Sequence, residues 1–162
     1  MKSKSIKRMV HASIFAALIC IATITLRFPS PIGYVNLGDG IILIAAWVLG
    51  PVGGMLAGGI GSALADLIGY PQYMLATLVI KGLSGLVAGL LFKRGKLLFN
   101  LLVAFIAETI MAVGYFGWES LIFGQGLTAA AGIPFNILQG VVGIVIFALV
   151  YIKLKDDKFY RM

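Results

Sequence analysis

Thr77, Lys81, Ser84 and Gly85 fall at i, i+4, i+7 and i+8, so they share one face of any helix built from the apolar run at residues 74–92. Glu108, Ala112, Tyr115 and Glu119 make a second stripe of this kind, and Asn136, Gln139, Gly140 and Gly143 a third. The three polar stripes can converge on a pocket in the outer half of the bilayer, with Lys81 and Glu108 setting opposite charges at matching depth. Ionisable side chains inside an apolar span cost roughly 3 kcal/mol each on insertion scales, so a chain that keeps them uses them, as an internal ion pair or as part of a site. Either use fits Lys81 and Glu108. Asn136 and Gln139 equally fit hydrogen bonds between helices. The candidate substrate-binding set is Thr77, Lys81, Glu108, Tyr115, Asn136 and Gln139, with Tyr34 and Asn36 reaching over from residues 28–37.

Asp39, in Gly38-Asp39-Gly40, reads as an N-terminal helix cap, where the helix dipole favours an anion. Asp66, one turn beyond Ser62, fits a site residue or a partner for a backbone turn. There is no G-x-x-x-x-G-K-[ST] phosphate loop, no H-E-x-x-H pair and no nucleophile elbow, and Cys20 is a lone cysteine in an apolar run. The expectation is a protein with no catalytic residue, metal site or cofactor, not an enzyme, whose energy comes from a partner.

Membrane helices must position these side chains. The 162 residues are 60% hydrophobic and 12% charged, where a soluble domain carries about 25% charged residues. The expected fold is an all-α integral membrane protein, a single domain over residues 1–162, with six transmembrane helices near 9–26, 38–49, 52–68, 74–92, 97–115 and 133–152. A net charge of +7 would suit nucleic acid in a soluble protein. Here every Lys and Arg except Arg27 and Lys81 falls within residues 2–8, 93–96 or 153–161, the pattern of positive-inside anchors, so lipid and not nucleic acid is the partner.

The first two basic clusters both belong in the cytoplasm, which requires an even number of crossings between them. Breaking the chain at Gly50-Pro51 gives four, although residues 38–49 make only about 18 Å of helix. The last two spans then leave both termini cytoplasmic in a multi-pass protein of the bacterial plasma membrane, with the first span retained rather than cleaved as a leader. Residues 28–37, with Pro29, Pro31 and Gly33, read as an outer loop able to act as a lid, and residues 116–132 as a second outer loop. Small residues at helical spacing (Gly50, Gly54 and Gly58; Gly85 and Gly89) suit backbone-to-backbone helix contact, and Ala12 and Ala16, with Ser13 and Ala17 beside them, give the first span a smooth face.

The succession YVNLGDGIILIAAWVLGPVGG, GSALADLIGYPQY and ATLVIKGLSGLVAGL, with the A-x-x-x-A pair Ala12/Ala16, resembles the S components of energy-coupling factor (ECF) vitamin transporters, in particular the riboflavin-transporter-like branch. The likeness covers most of the chain and is strongest over residues 34–92. It implies a six-helix vitamin-binding subunit that associates with a transmembrane coupling subunit and two ATPases, docks through the face mapped here onto Ala12 and Ala16, and topples to carry its ligand inward. It further implies a small hydroxylated aromatic heterocycle, hydroxymethylpyrimidine or pyridoxine, as that ligand. A reading from another class is an ATPase-independent channel or secondary transporter with Lys81 and Glu108 as relay, for which no two-half inverted repeat is evident. A membrane enzyme would need a clustered catalytic motif.

Overall fold

A computed structural model describes residues 2–30 and 33–154, with side chains from Ile6 onward. The basic cluster at residues 155–161 and the loop residues Pro31 and Ile32 lie outside it. Helix α1 (Lys2–Thr25) leads through β1 (Arg27–Pro29) and β2 (Tyr34–Asn36) into α2 (Gly38–Gly69), followed by α3 (Met74–Leu91), α4 (Leu97–Gly117) and α5 (Ile133–Leu154). All five helices are long and apolar enough to cross a membrane. Their outward faces expose Leu18, Val79, Leu90, Phe105 and Leu149, as contact with lipid requires when every backbone polar group is satisfied within the helix.

Helix α2 is one helical run broken once. Gly50 has φ +76 and ψ −169, a conformation open to glycine, and Pro51 then starts the second limb with its φ already set. The break is a reversal. A methyl group on Gly58 would stand 2.9 Å from the Ile42 side chain, and one on Gly54 2.7 Å from Ala46 Cα. An unbroken helix would hold residues 42 and 58 about 24 Å apart, so the limbs at residues 38–49 and 51–69 fold back antiparallel. The second limb also packs on α3 backbone to backbone: a Cβ on Gly54 would meet the Gly85 carbonyl oxygen at 2.7 Å. In lipid such contact replaces the hydrophobic force that drives helices together in water.

Two loop expectations need correction. Residues 28–37 are not wholly irregular: β1 and β2 pair antiparallel, with Arg27 opposite Asn36, Phe28 opposite Val35 and Pro29 opposite Tyr34. Backbone groups too far from a helix to bond there bond each other instead. Residues 116–132 are largely helical, a π turn at Trp118–Ile122 and a 3-10 turn at Gly126–Gly132. Continuing the winding past Gly117 satisfies carbonyls that a free loop would leave to solvent.

The bundle divides by polarity. Away from the ribbon, Leu43, Ala46, Val103, Phe147 and Tyr151 form a sealed apolar core, with Phe92 stacked on Phe147 at 4.8 Å between ring centres. Toward the ribbon the buried side chains include Thr23, Asn36, Asp39, Asp66, Thr77 and Lys81.

Candidate functional site

Lys81 and Asp39, each about 2% exposed, form an ion pair, Nζ to Oδ1. The Gln139 Nε2 amide donates to Asp39 Oδ2 at 2.6 Å, and Gln139 Oε1 accepts the Asn36 backbone N–H at 2.6 Å. Asn36 Oδ1 in turn accepts from the Gly38 N–H at 2.8 Å and the Thr23 hydroxyl at 3.3 Å. One chain of bonds thus ties α1, β2, α2, α3 and α5 together. It corrects two expectations. Asp39 is not the cap of α2, a position held by Leu37 without a side-chain bond; a buried ammonium must find its countercharge, and that demand outweighs local capping. Lys81 therefore pairs with Asp39 rather than with Glu108.

Glu108 is set apart. Its chain packs against Gly140, where a Cβ would come within 2.9 Å of Glu108 Cβ, and its Oε2 has no hydrogen-bond partner among the described residues. It borders a groove of about 350 Å³ between α4 and α5, walled by Phe105, Val113, Ile137 and Val141. Apart from Glu108, Thr109 and Asn136 that groove is apolar.

A second network lies nearer the ribbon. The Tyr34 hydroxyl donates to Asp66 Oδ1, and the Thr77 hydroxyl to Asp66 Oδ2 at 2.5 Å. With its proton committed to Asp66, Thr77 accepts from the Tyr115 hydroxyl at 2.8 Å. Burial, and after it the Asp66 carboxylate, pushes the Tyr34 phenol above its ordinary range, so it stays a donor. The Arg27 guanidinium covers the rings of Tyr34 and Tyr70 at 4.3 and 5.0 Å, fastening β2 to the end of α2. Tyr73 donates to Glu119 Oε1 at 3.1 Å. The Tyr115 ring, 5.6 Å from Lys81 Nζ, links the two networks.

Between the networks and the ribbon lies a cavity of about 20 Å³, room for roughly one water. Of the sequence-predicted residues, Tyr34, Asn36, Tyr115, Asn136 and Gln139 line it. Thr77 and Lys81 stand behind, holding Tyr115, Asp66 and Asp39, and Glu108 does not reach it. Asp66, which fitted a site residue or a turn partner, and Glu119, named only as part of a stripe, line it too, as does Tyr73, which the sequence did not single out. The signal was present for the two carboxylates, since an acid next to an apolar span is costly wherever it occurs. Ala12 is buried, and Ala16 faces α2, where a Cβ on Gly61 would stand 3.0 Å from Ala16 Cα. Ser13 and Ala17 of α1 are exposed small residues, in a shallow surface with Met9 and Ile14.

A helical membrane bundle that closes a polar cavity under a strand ribbon, and seals its other half with an apolar core, has the form of a membrane subunit that binds a small solute. The chain belongs to the ECF-type riboflavin transporter S components, whose family model matches residues 3–156. It is thus a substrate-binding membrane component of a vitamin transporter, not an enzyme, and members of its family work with a transmembrane T component and ATPases. It is 40% identical over 132 residues to a Pyrococcus woesei protein, covering 79% of this chain and 88% of that one. It is 34% identical over 151 residues to the thiamine precursor transporter HmpT of Lactococcus lactis subsp. cremoris, covering 90% and 86%. In fold it matches the solved S component of a bacterial ECF transporter, with TM-score 0.71, 22% identity, and coverage of 93% of this chain and 96% of that chain.

Proposed function

We propose that this chain binds a small hydroxylated aromatic heterocycle, of the hydroxymethylpyrimidine or pyridoxine type, in the cavity beneath the ribbon and presents it to an ECF module of one coupling subunit and two ATPases. The observation that carries the reading is the cavity wall: three tyrosine rings with Asp66, Glu119 and three amide side chains, Asn36, Asn136 and Gln139. Aromatic faces with a few convergent polar groups are what a ring with polar substituents needs. The similarity to a thiamine precursor transporter points the same way.

The two limbs of α2 count as separate crossings, which makes six. Lys7, Lys93 and Lys153 all lie at the end away from the ribbon, so that end is cytoplasmic by the positive-inside rule and the cavity faces out. A channel reading loses its relay, because Lys81 is committed to Asp39 and the sealed core of Leu43, Val103 and Phe147 lies beneath it.

Mass spectrometry of small molecules that co-purify with the detergent-solubilised protein, followed by calorimetry with hydroxymethylpyrimidine and pyridoxine, tests the reading. Saturable one-site binding of either compound is the expected result. Binding of neither, or substrate uptake by the chain alone in liposomes, would overturn it.

A further inference from the structure

Most polar atoms facing the cavity are already committed. Asp66 spends one oxygen on Tyr34 and the other on Thr77, and Gln139 spends its amide on Asp39 and Asn36. Glu119 differs. It is 3% exposed, it lines the cavity, and while Oε1 accepts from Tyr73, Oε2 has no partner among the described residues. An unpaired buried carboxyl oxygen is costly, and one on a side chain that lines a binding cavity offers a partnership that a ligand can complete. No Lys or Arg stands among the lining residues, which carry two carboxyl groups instead.

We infer that Glu119 receives the N–H edge of an amino-substituted ring, so that the site selects aminopyrimidines over their oxo counterparts and rejects phosphate esters. This deepens, and rests on, the assignment of the cavity to a heterocycle. An exocyclic amine beside a ring nitrogen presents two groups side by side, as a carboxyl group does. With the ring nitrogen protonated, the Glu119 carboxylate accepts two N–H bonds from that edge. In the oxo counterpart a carbonyl oxygen replaces the amine and faces Glu119 acceptor to acceptor. A phosphate ester would bring a dianion against Asp66 and Glu119 with no cation in the wall to meet it.

Calorimetry on the purified full chain in detergent, with 4-amino-5-hydroxymethyl-2-methylpyrimidine, its 4-oxo counterpart, its phosphate ester and pyridoxine, tests this. The wild type is expected to favour the amino compound over the oxo compound by at least about tenfold, the worth of one charge-assisted hydrogen bond, and to show no binding of the ester. Glu119→Gln should lose about tenfold for the amino compound and bring the amino-to-oxo ratio near one, since its amide can donate to the oxo group. Tyr73→Phe, which only releases Oε1, should weaken both compounds and keep the ratio. An unchanged ratio in Glu119→Gln overturns the inference. Should that variant fail to fold, the wild type decides: equal affinity for amino and oxo compounds, or tight binding of the ester, overturns it. Binding of pyridoxine alone overturns the inference and leaves the heterocycle reading standing, whereas binding of none of the four compounds overturns both.

Discussion

Lys81 is the residue on which the buried polar half depends, because its charge is the one that makes Asp39 affordable in an apolar bundle. Lys81→Met would strand Asp39 and should destabilise the protein by about 3–5 kcal/mol, as breaking a buried pair from one side does. Asp39→Asn added to Lys81→Met should recover part of that loss, since Asn keeps an acceptor for Gln139. Thermal unfolding in detergent reads both effects, and a Lys81→Met variant that melts with the wild type would refute them. Glu108→Gln, at a residue that borders the apolar groove and not the cavity, should leave ligand affinity unchanged; a large loss would move the site toward α4 and α5. That Lys81 needs a partner is legible in the sequence. Which acid supplies it is not, because Asp39 suits a local helix cap while Glu108 suits a long-range pair at matching depth, and only the packing of the helices decides which carboxylate comes near.

At the scale of elements, the ribbon is the part of the bundle that closes the cavity from one side. The bonds that hold it include Tyr34 to Asp66, Arg27 on the rings of Tyr34 and Tyr70 and on the Ala65 carbonyl, and Asn36 to Gln139 and Thr23. A cavity of about 20 Å³ is too small for a heterocycle, so on the proposed function the ribbon is expected to lift as the ligand enters. A nitroxide at Phe28, which is exposed on β1, should be more mobile without ligand than with it, and identical spectra in the two states would remove the lid. Tyr34→Phe, losing the bond to Asp66, should raise mobility in the free protein and speed ligand release. The glycine-rich contact of α2 with α3 was readable from spacing, and so was the break at Gly50-Pro51, because Gly and Pro act on their own backbone. Strand pairing at residues 27–36 was hidden: three-residue strands flanked by prolines carry no periodicity, and their register comes from where α1 ends and α2 begins.

The whole molecule has to meet its coupling subunit through a surface, and the inward turn of Ala12 and Ala16 separates two effects that sequence reasoning had joined. Ala16 packs on the second limb of α2 at Gly61, so Ala16→Trp should push α1 off its own bundle and lower stability and ligand binding together. Ser13 and Ala17 face outward one position along the helix, in a shallow patch with Met9 and Ile14, and are the small residues expected to meet another helix if α1 docks on one. Small side chains allow close helix contact and a bulky one props the partners apart, with no hydrophobic force between helices in lipid to compensate. Ser13→Trp and Ala17→Trp should therefore leave melting temperature and ligand affinity of the isolated chain at wild-type values and abolish ATP-dependent uptake in liposomes carrying the coupling subunit and ATPases. The polar networks make this separation possible, since within α1 they use Thr23, well along the helix from Ser13 and Ala17. Normal transport by both tryptophan variants would place the docking surface on another helix, and loss of binding in either would show that this face of α1 serves the bundle itself.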